Sequence, residues 1–310
     1  MKGLELARSY HDLYVSALFE GLPGDVRYRA ATGLVGPGSE CLGFDDDISQ
    51  DHDFGPGFCV WLPRDLFGTY ASEIQRRYDA LPATHAGCTR EATELAGKRV
   101  GVFETESFYR GFTGLERAPQ TAKEWLAIPE QFLAVATGGE VFCDPSGEFS
   151  AIRNAYLRFY PDEVVRKKFA ADCAVMAQAG QYNLPRTLER GDAVAANSAR
   201  SEFVTAALAA MHLLHRVYMP FYKWSYRSLV ERVHAAAPIA QAVADVAAAP
   251  VRELDQELVE SLCMVVASAS RALGWSDTAS DFLLDTAMQI WRGLTDPYLS
   301  ACPLNAGAYR

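Results

Sequence analysis

The sequence lacks several features that would place a protein in a class at once. It contains no run of about 18 uncharged apolar residues, and residues 1–10 hold no basic segment followed by an apolar one. Its seven cysteines are scattered and never form a Cys-x-x-Cys pair, which argues against a disulfide framework and a zinc knuckle. We therefore expect a cytoplasmic, soluble protein that has no membrane partner.

Basic residues are scarce in the first half of the chain. Residues 1–150 hold 13 Lys and Arg against 23 Asp and Glu, whereas residues 151–310 hold 16 of each kind. The net charge of −10 therefore arises in the first half. Because affinity for polynucleotides depends mainly on basic side chains that face phosphates, we do not expect duplex nucleic acid as a partner.

The chain is long enough for two domains, with 310 residues of which 49% are hydrophobic and 22% charged. Periodicity predicts helices at residues 4–19, 63–81 and 122–136, and extended segments at 26–35, 58–62, 99–103 and 140–143. From residue 149 onward helical periodicity replaces the strand pattern. We expect an α+β protein, with a small mixed sheet and flanking helices in residues 1–150 and a bundle of five to seven helices in residues 151–310.

The densest chemistry lies in residues 38–53, which contain six acidic residues and no Lys or Arg. On a strand, Asp51 and Asp53 would point to one face, where two carboxylates repel one another unless a cation lies between them. Mg²⁺ takes one or two carboxylates together with substrate phosphate oxygens, so one or two Mg²⁺ ions and phosphoryl or nucleotidyl transfer are indicated. An acidic, solvated loop that binds nothing is the alternative.

A glycine-serine pair begins this acidic segment. Gly38 lets the backbone approach a phosphate closely, and the Ser39 hydroxyl with nearby amides can hold terminal phosphates. Two familiar motifs do not fit. The dinucleotide fingerprint needs a glycine at position 41, which is Cys, and the Walker A motif needs Gly-Lys-Ser/Thr, whereas Gly38 is followed by Ser39 and Glu40.

These residues resemble a known signature. Gly38-Ser39 followed by Ser49-x-Asp51-x-Asp53 is similar to the signature of the nucleotidyltransferase fold shared by polymerase β and by aminoglycoside and lincosamide nucleotidyltransferases. Segments 38–46 and 51–56 are more closely similar to bacterial proteins that carry a domain of unknown function called DUF4037. Further similar segments are 141–145, 180–183, 190–192 and 218–224, so the resemblance covers about residues 26–230.

The resemblance implies a division of labour within the first domain. Ser39 would lie at a strand-to-helix turn and hold phosphates, and Asp51 and Asp53 would hold the metal on the next strand. A third carboxylate on a further strand would act as general base or metal ligand. Glu106 is the preferred candidate and Glu104 the second, both on one face of the extended segment after residue 99. Asp144 is a third candidate and is more naturally a turn cap.

Residues 152–232 carry 12 Lys and Arg against 7 Asp and Glu. A triphosphate needs cationic donors, for which Arg offers a bidentate fork and Lys a compact charge. Aromatic side chains with hydrogen-bonding groups suit a base or a small polar acceptor, although such residues also serve as core or solvated surface. The candidate substrate-contacting residues are Arg153, Tyr182, Arg186, Arg190 and Lys223.

The leading hypothesis is a Mg²⁺-dependent nucleotidyltransferase. It would move a nucleoside monophosphate from a nucleoside triphosphate such as ATP to a small-molecule acceptor and release pyrophosphate. Two alternatives remain open: a catalytically silent nucleotide-binding or sensor protein, and an enzyme that attaches AMP to protein side chains.

Overall fold

A computed structural model describes residues 1–50, 54–90, 99–233 and 237–309. The chain divides into two compact units: unit 1 comprises Met1–Ala118 and Phe132–Arg158, and unit 2 comprises Pro119–Gln131 and Phe159–Arg310. The expected α+β class, with a small mixed sheet and many helices, is confirmed. The expected domain boundary near residue 150 falls inside a helix of unit 1, whose Phe149 is buried against Trp61 of the sheet.

The helices, in chain order, are α1 (Gly3–Phe19), α2 (Gly24–Arg29), α3 (Ser39–Leu42), α4 (Arg64–Asp79), α5 (Thr105–Thr113), α6 (Ala122–Ala127), α7 (Glu130–Thr137), α8 (Glu148–Leu157), α9 (Asp162–Met176), α10 (Leu184–Glu189), α11 (Ala193–Leu214), α12 (Tyr222–Arg232), α13 (Ala237–Ala248), α14 (Gln256–Ala272), α15 (Leu283–Arg292) and α16 (Pro297–Ala301). A π-helix, Ala177–Asn183, joins α9 to α10. Within the described residues, no helix is both long and apolar enough to cross a membrane.

The strands are β1 (Ala31–Leu34), β2 (Cys59–Leu62), β3 (Thr84–His85), β4 (Cys88–Thr89), β5 (Gly101–Glu104) and β6 (Glu140–Cys143). Strands β3 and β4 form a separate hairpin, and the other four form one sheet in the order β5-β2-β1-β6. Strand β1 is antiparallel to β2 and β6, whereas β2 and β5 are parallel. The end of β1 therefore lies at the same end of the sheet as the beginnings of β2 and β5.

Three predicted elements differ from the structure. The extended segment 26–35 begins as helix α2, because Pro23 sets the entry to the helix and the Ala30 N–H returns to the Val26 carbonyl at 3.0 Å. The helix predicted over 122–136 is divided into α6 and α7 by Pro129, since a residue before proline is pushed to extended backbone. The described part of residues 151–310 contains more helices than the five to seven expected, and Gly191 and Gly274, both at positive φ, follow the ends of α10 and α14.

Both faces of β2 are buried, which explains its continuous apolar sequence. On one face, Val60 and Leu62 join a cluster with side chains from α1 and α4, among them Tyr10, Leu18, Ile74 and Tyr78. On the other face, the Trp61 ring stacks on Phe149 of α8 with centroids 4.1 Å apart. The sheet of unit 1 thus lies between two layers of helices.

Unit 2 buries ionisable side chains of α9 against the end of the chain. The Lys167 ammonium donates hydrogen bonds to the carbonyls of Pro303, Leu304 and Ala306, each at 2.8 Å. One turn further along, the Asp172 carboxylate accepts the N–H of Tyr309 at 2.9 Å. Burial raises the pKa of Asp172 to about 7 and lowers the pKa of Lys167 to about 8. The segment 303–309 is therefore held by two buried ionisable side chains, Lys167 and Asp172.

We expect Asp172→Asn to reduce the pH dependence of stability. The Asp172 pKa is about 7 in the folded protein against an ordinary value of 3.8, so the folded state binds this proton more tightly. The group's stabilising contribution is thus present below pH 4 and is lost as the pH rises to about 7. Urea unfolding between pH 4.5 and 8 should show a smaller fall in unfolding free energy for the variant. Wild-type pH dependence in Asp172→Asn, or the same flattening in the exposed control Asp245→Asn, would contradict this.

Candidate functional site

The turn between β1 and α3 places Ser39 as the first residue of a helix, directly after Gly38. Gly38 has φ 128° and ψ 149°, a backbone conformation that is essentially restricted to glycine. The Gly-Ser pair thereby lets the chain leave β1 and enter α3 within a few residues. Ser39 occupies the strand-to-helix turn that the resemblance implied.

An arginine lies directly on this turn. Arg99 Nη2 donates to the Pro37 carbonyl at 2.7 Å and to the Glu40 carboxylate. A methyl group on Gly38 would lie 2.1 Å from Arg99 Nη2 and 2.5 Å from Glu40 Oε2, so the ion pair rests against the glycine backbone. The Cys59 thiol donates to the Arg99 carbonyl at 3.3 Å, which ties Arg99 to the beginning of β2.

Arg99 was not among the predicted site residues. The sequence shows it only as a basic residue immediately before an apolar run. It reaches the turn because Gly101 of β5 pairs with Cys59 of β2, and Cys59 pairs with Gly33 of β1. Those pairings are long-range, so local sequence patterns do not reveal the contact.

The beginning of α1 contacts both the glycine-serine turn and Phe54. A methyl group on Gly3 would lie 2.7 Å from Glu40 Cβ and 3.3 Å from Phe54 Cε2, so both side chains pack on this glycine. Phe54 follows Asp53 in the sequence, and Glu40 follows Ser39. The described chain on the C-terminal side of Asp53 therefore lies at the same end of the sheet as the Ser39 turn.

Asp51 and Asp53 lie outside the described residues, so the structure does not describe the metal site predicted there. Among the residues that the structure does describe, no group of three or more His, Cys, Asp or Glu side chains could hold a metal ion. Nearby, the buried Asp45 carboxylate accepts the Gly3 N–H at 2.8 Å. An open pocket of about 330 Å³ adjoins it, lined by Met1, Lys2, Glu5, Asp45, Asp46 and Asp47.

Glu104 and Glu106 lie at the opposite end of the sheet from Ser39. Glu104 pairs with Leu62 at the end of β2, whereas the β1 end that leads to Ser39 lies beside the beginning of β2. Glu106 is in the first turn of α5 and not on a strand, which corrects the expectation that both carboxylates share a strand face. Since β2 and β5 are parallel, the third carboxylate predicted on β5 is not brought to the glycine-serine turn.

The two glutamates also differ in their surroundings. Glu104 accepts hydrogen bonds from Arg64 Nε at 2.6 Å and from the Ser107 hydroxyl at 2.7 Å, and these two donors lower its pKa. Glu106 Oε2 is enclosed and has no hydrogen-bond partner within the described residues. Glu104 thus binds Arg64 and Ser107 at the start of α5, and its carboxylate is already engaged.

Arg153 lies at the same end of the sheet as Ser39, but it supports the backbone. Its Nη2 donates to the carbonyls of Thr137 and Gly139 at 2.6 and 2.8 Å, and burial lowers its pKa. The Gly139 N–H in turn donates to the Cys41 carbonyl of α3 at 2.6 Å. The structure thus uses Arg153 to hold the loop before β6 against α3. Asp144 caps the start of α8 by accepting the N–H groups of Gly147 and Ser150, as expected of a turn cap.

The other predicted substrate contacts are in unit 2. The Arg186 guanidinium lies 3.6 Å from the centroid of the Tyr182 ring, at the end of the π-helix and the beginning of α10. Lys223 is exposed on α12, with its ammonium 5.3 Å from the Trp224 ring. Arg190 is exposed at the end of α10. Tyr182 and Arg186 are thus brought together, and π-helices occur frequently at functional sites.

The fold and the turn define an α+β protein of two units, with a glycine-serine turn at one end of a mixed sheet. Residues 125–225 match the model of a protein family described as "Domain of unknown function (DUF4037)". Comparisons with the curated proteins and with the solved structures find no match. The family match contains Arg153, Tyr182, Arg186, Arg190 and Lys223, whereas the segment from Gly38 to Asp53 precedes it.

Gly38→Ala should disrupt the turn more than Gly36→Ala. Both glycines have positive φ, 128° and 136°, so either substitution introduces backbone strain of roughly 1–3 kcal/mol. A new methyl group at Gly36 meets open space, whereas one at Gly38 collides with Arg99 and Glu40. Urea unfolding should therefore give a larger loss of stability for Gly38→Ala. Equal losses would show that the ion pair does not rest on Gly38.

Proposed function

We propose that this protein is a Mg²⁺-dependent nucleotidyltransferase that transfers a nucleoside monophosphate to a small-molecule acceptor and releases pyrophosphate. One observation carries the proposal: Glu40, next to Ser39, and Phe54, next to Asp53, both pack on Gly3. A phosphate-binding turn and a metal-binding aspartate pair need to be close together if they are to act on one triphosphate. The shared contact with Gly3 supports that arrangement.

In this proposal Gly38 and Ser39 bind the terminal phosphates, and Asp51 and Asp53 hold one or two Mg²⁺ ions. The donor set suits the metal, because Mg²⁺ prefers carboxylate oxygens and completes its shell with phosphate oxygens and water. The bound metal would neutralise charge that develops on the phosphates during transfer. The Ser39 hydroxyl would donate to a phosphate oxygen and fix its position.

The acidity of this end of the sheet constrains the substrates. Asp45, Asp46 and Asp47 line the neighbouring pocket, and their charges repel a free polyphosphate. Nucleotide binding should therefore require the metal. The acceptor is proposed to be small because residues 1–150 carry 23 acidic against 13 basic residues, which offers no basic track for a polynucleotide.

A second function, nucleotide binding without turnover, is favoured by the position of the two glutamates. Glu104 and Glu106 lie at the far end of the strands, so neither is assigned as the base that accepts the acceptor's proton. A protein that keeps the phosphate turn and the metal pair without a base would bind a nucleotide as a sensor. Pyrophosphate release distinguishes the enzyme from the sensor, and radiolabel found on protein would instead indicate an AMP-transferring enzyme with a polypeptide acceptor.

Nucleotide binding should depend on Asp51, Asp53 and Mg²⁺. A ligand that binds only the folded state at a hundredfold excess over Kd stabilises it by about 2.7 kcal/mol. Thermal unfolding with ATP, GTP, CTP or UTP should show this shift for wild type with Mg²⁺, and for neither Asp51→Asn nor Asp53→Asn. Asp25→Asn, an exposed carboxylate on α2, is the matched control and should behave as wild type. No shift with any nucleotide would contradict both proposed functions.

Substitution of the two distant glutamates should leave nucleotide turnover nearly unchanged. We expect Glu104→Gln and Glu106→Gln to release pyrophosphate at rates within about threefold of wild type, since loss of a true general base costs roughly 10²–10⁴-fold. Steady-state pyrophosphate release on Mg²⁺-nucleotide measures this, with unfolding curves to verify the fold. A hundredfold loss in folded Glu106→Gln would show that this carboxylate takes part in the reaction.

A further inference from the structure

Arg99 is held at the glycine-serine turn by the carboxylate of Glu40. Its Nη2 donates to the Glu40 carboxylate and to the Pro37 carbonyl, and both charged side chains are largely covered, with 20% and 14% exposure. Arg99 Nε is buried and finds no hydrogen-bond partner among the described residues. A guanidinium has five N–H donors, so this one has capacity beyond the pair it makes.

Two other cations at this end of the sheet, Arg153 and Lys2, are engaged differently. Arg153 donates to the carbonyls of Thr137 and Gly139, which are part of the backbone and cannot leave without unfolding a loop. Lys2 is fixed near the Asp45 carboxylate, 3.7 Å from Oδ1, and bonds the Asp45 carbonyl. Arg99 is held by the Pro37 carbonyl and by the Glu40 carboxylate, and the Glu40 side chain can rotate away while the main chain stays in place.

We propose that Arg99 is the phosphate-binding side chain of this turn and that Glu40 is its built-in competitor. The proposal rests on the proposed function, because the anion in question is the polyphosphate of the nucleotide. Carboxylate and phosphate oxygens both accept charge-assisted hydrogen bonds from a guanidinium fork, and a polyphosphate brings more charge and more acceptor oxygens. Nucleotide binding thus exchanges the Glu40 carboxylate for a phosphate at Arg99 Nη2.

The exchange gives the turn selectivity among anions. A weakly bound monoanion must displace Glu40 and gains little, whereas a metal-bound triphosphate gains contacts at the metal as well. Competition by an internal anion discriminates against wrong ligands without new contacts to the right one. An ion pair that served only to fasten β5 to the turn would contribute to stability and would leave anion affinity unchanged.

The test is a double-mutant cycle on the full chain, with isothermal titration of ATP in the presence of Mg²⁺. We expect Glu40→Gln to bind about tenfold more tightly than wild type and Arg99→Gln to bind roughly ten- to a hundredfold more weakly. The double variant should bind like Arg99→Gln, because Glu40 competes only through Arg99. Arg99→Lys, which keeps the charge and loses the fork, should lie between Arg99→Gln and wild type.

Glu73→Gln provides the matched control, because Glu73 forms a surface ion pair with Arg76 on α4 of the same unit and the substitution changes net charge equally. Its affinity should equal that of wild type. Wild-type affinity in both Glu40→Gln and Arg99→Gln, or tightening by Glu40→Gln that persists without Arg99, would overturn the inference. Unfolding curves without ligand verify that each variant folds.

Inorganic pyrophosphate separates the failure of this inference from the failure of the proposed function. If no variant binds any nucleotide, the nucleotidyltransferase proposal fails. Tighter pyrophosphate binding by Glu40→Gln than by wild type would then still support an anion site at Arg99. Pyrophosphate binding that neither substitution alters would reject that site.

Discussion

The antiparallel pairing of β1 with β2 decides which residues of unit 1 can act together. Because Gly33 lies opposite Cys59, the chain that leaves β1 through Gly38 meets the chain that enters β2. The parallel pairing of β2 with β5 then adds Arg99, just before β5, to the same end. The same register carries Glu104 to the other end of the sheet. A shift of these pairings would separate Ser39 from every partner that the proposed function gives it.

At this end of the sheet, the pairing of individual carboxylates with cations matters more than the net charge. The charge of Asp45 is partly balanced by Lys2, whose ammonium lies 3.7 Å away, and the charge of Glu40 is balanced by Arg99. The remaining carboxylates leave the neighbourhood acidic, which disfavours free polyphosphate and favours a metal complex of it. A metal requirement and an internal competitor for Arg99 therefore have one origin: an anionic ligand has to enter a region that is already rich in carboxylates.

Local sequence predicted what depends on local forces. Strand β2 was predicted because residues 58–62 are continuously apolar, whereas the strand-to-helix turn at Ser39 was implied only by the family resemblance. Glu104 and Glu106 were predicted on one strand because alternation continues through them, but Glu104 ends β5 and α5 begins at Thr105. Arg99 was missed, as were the contacts of Lys167 with residues 303–306, because both depend on long-range pairing. The family match beginning at residue 125 does not reach the glycine-serine turn.

Amide hydrogen exchange with and without Mg²⁺ and a non-hydrolysable ATP analogue tests the central claim, that one end of the sheet binds the nucleotide. The account predicts slower exchange in peptides that contain the turn at residues 36–42 and the chain at 54–59. Peptides that cover α5 should exchange at an unchanged rate, because α5 begins at the far end of the strands. Protection confined to residues 104–113, or no protection at the turn under saturating nucleotide, would contradict the account.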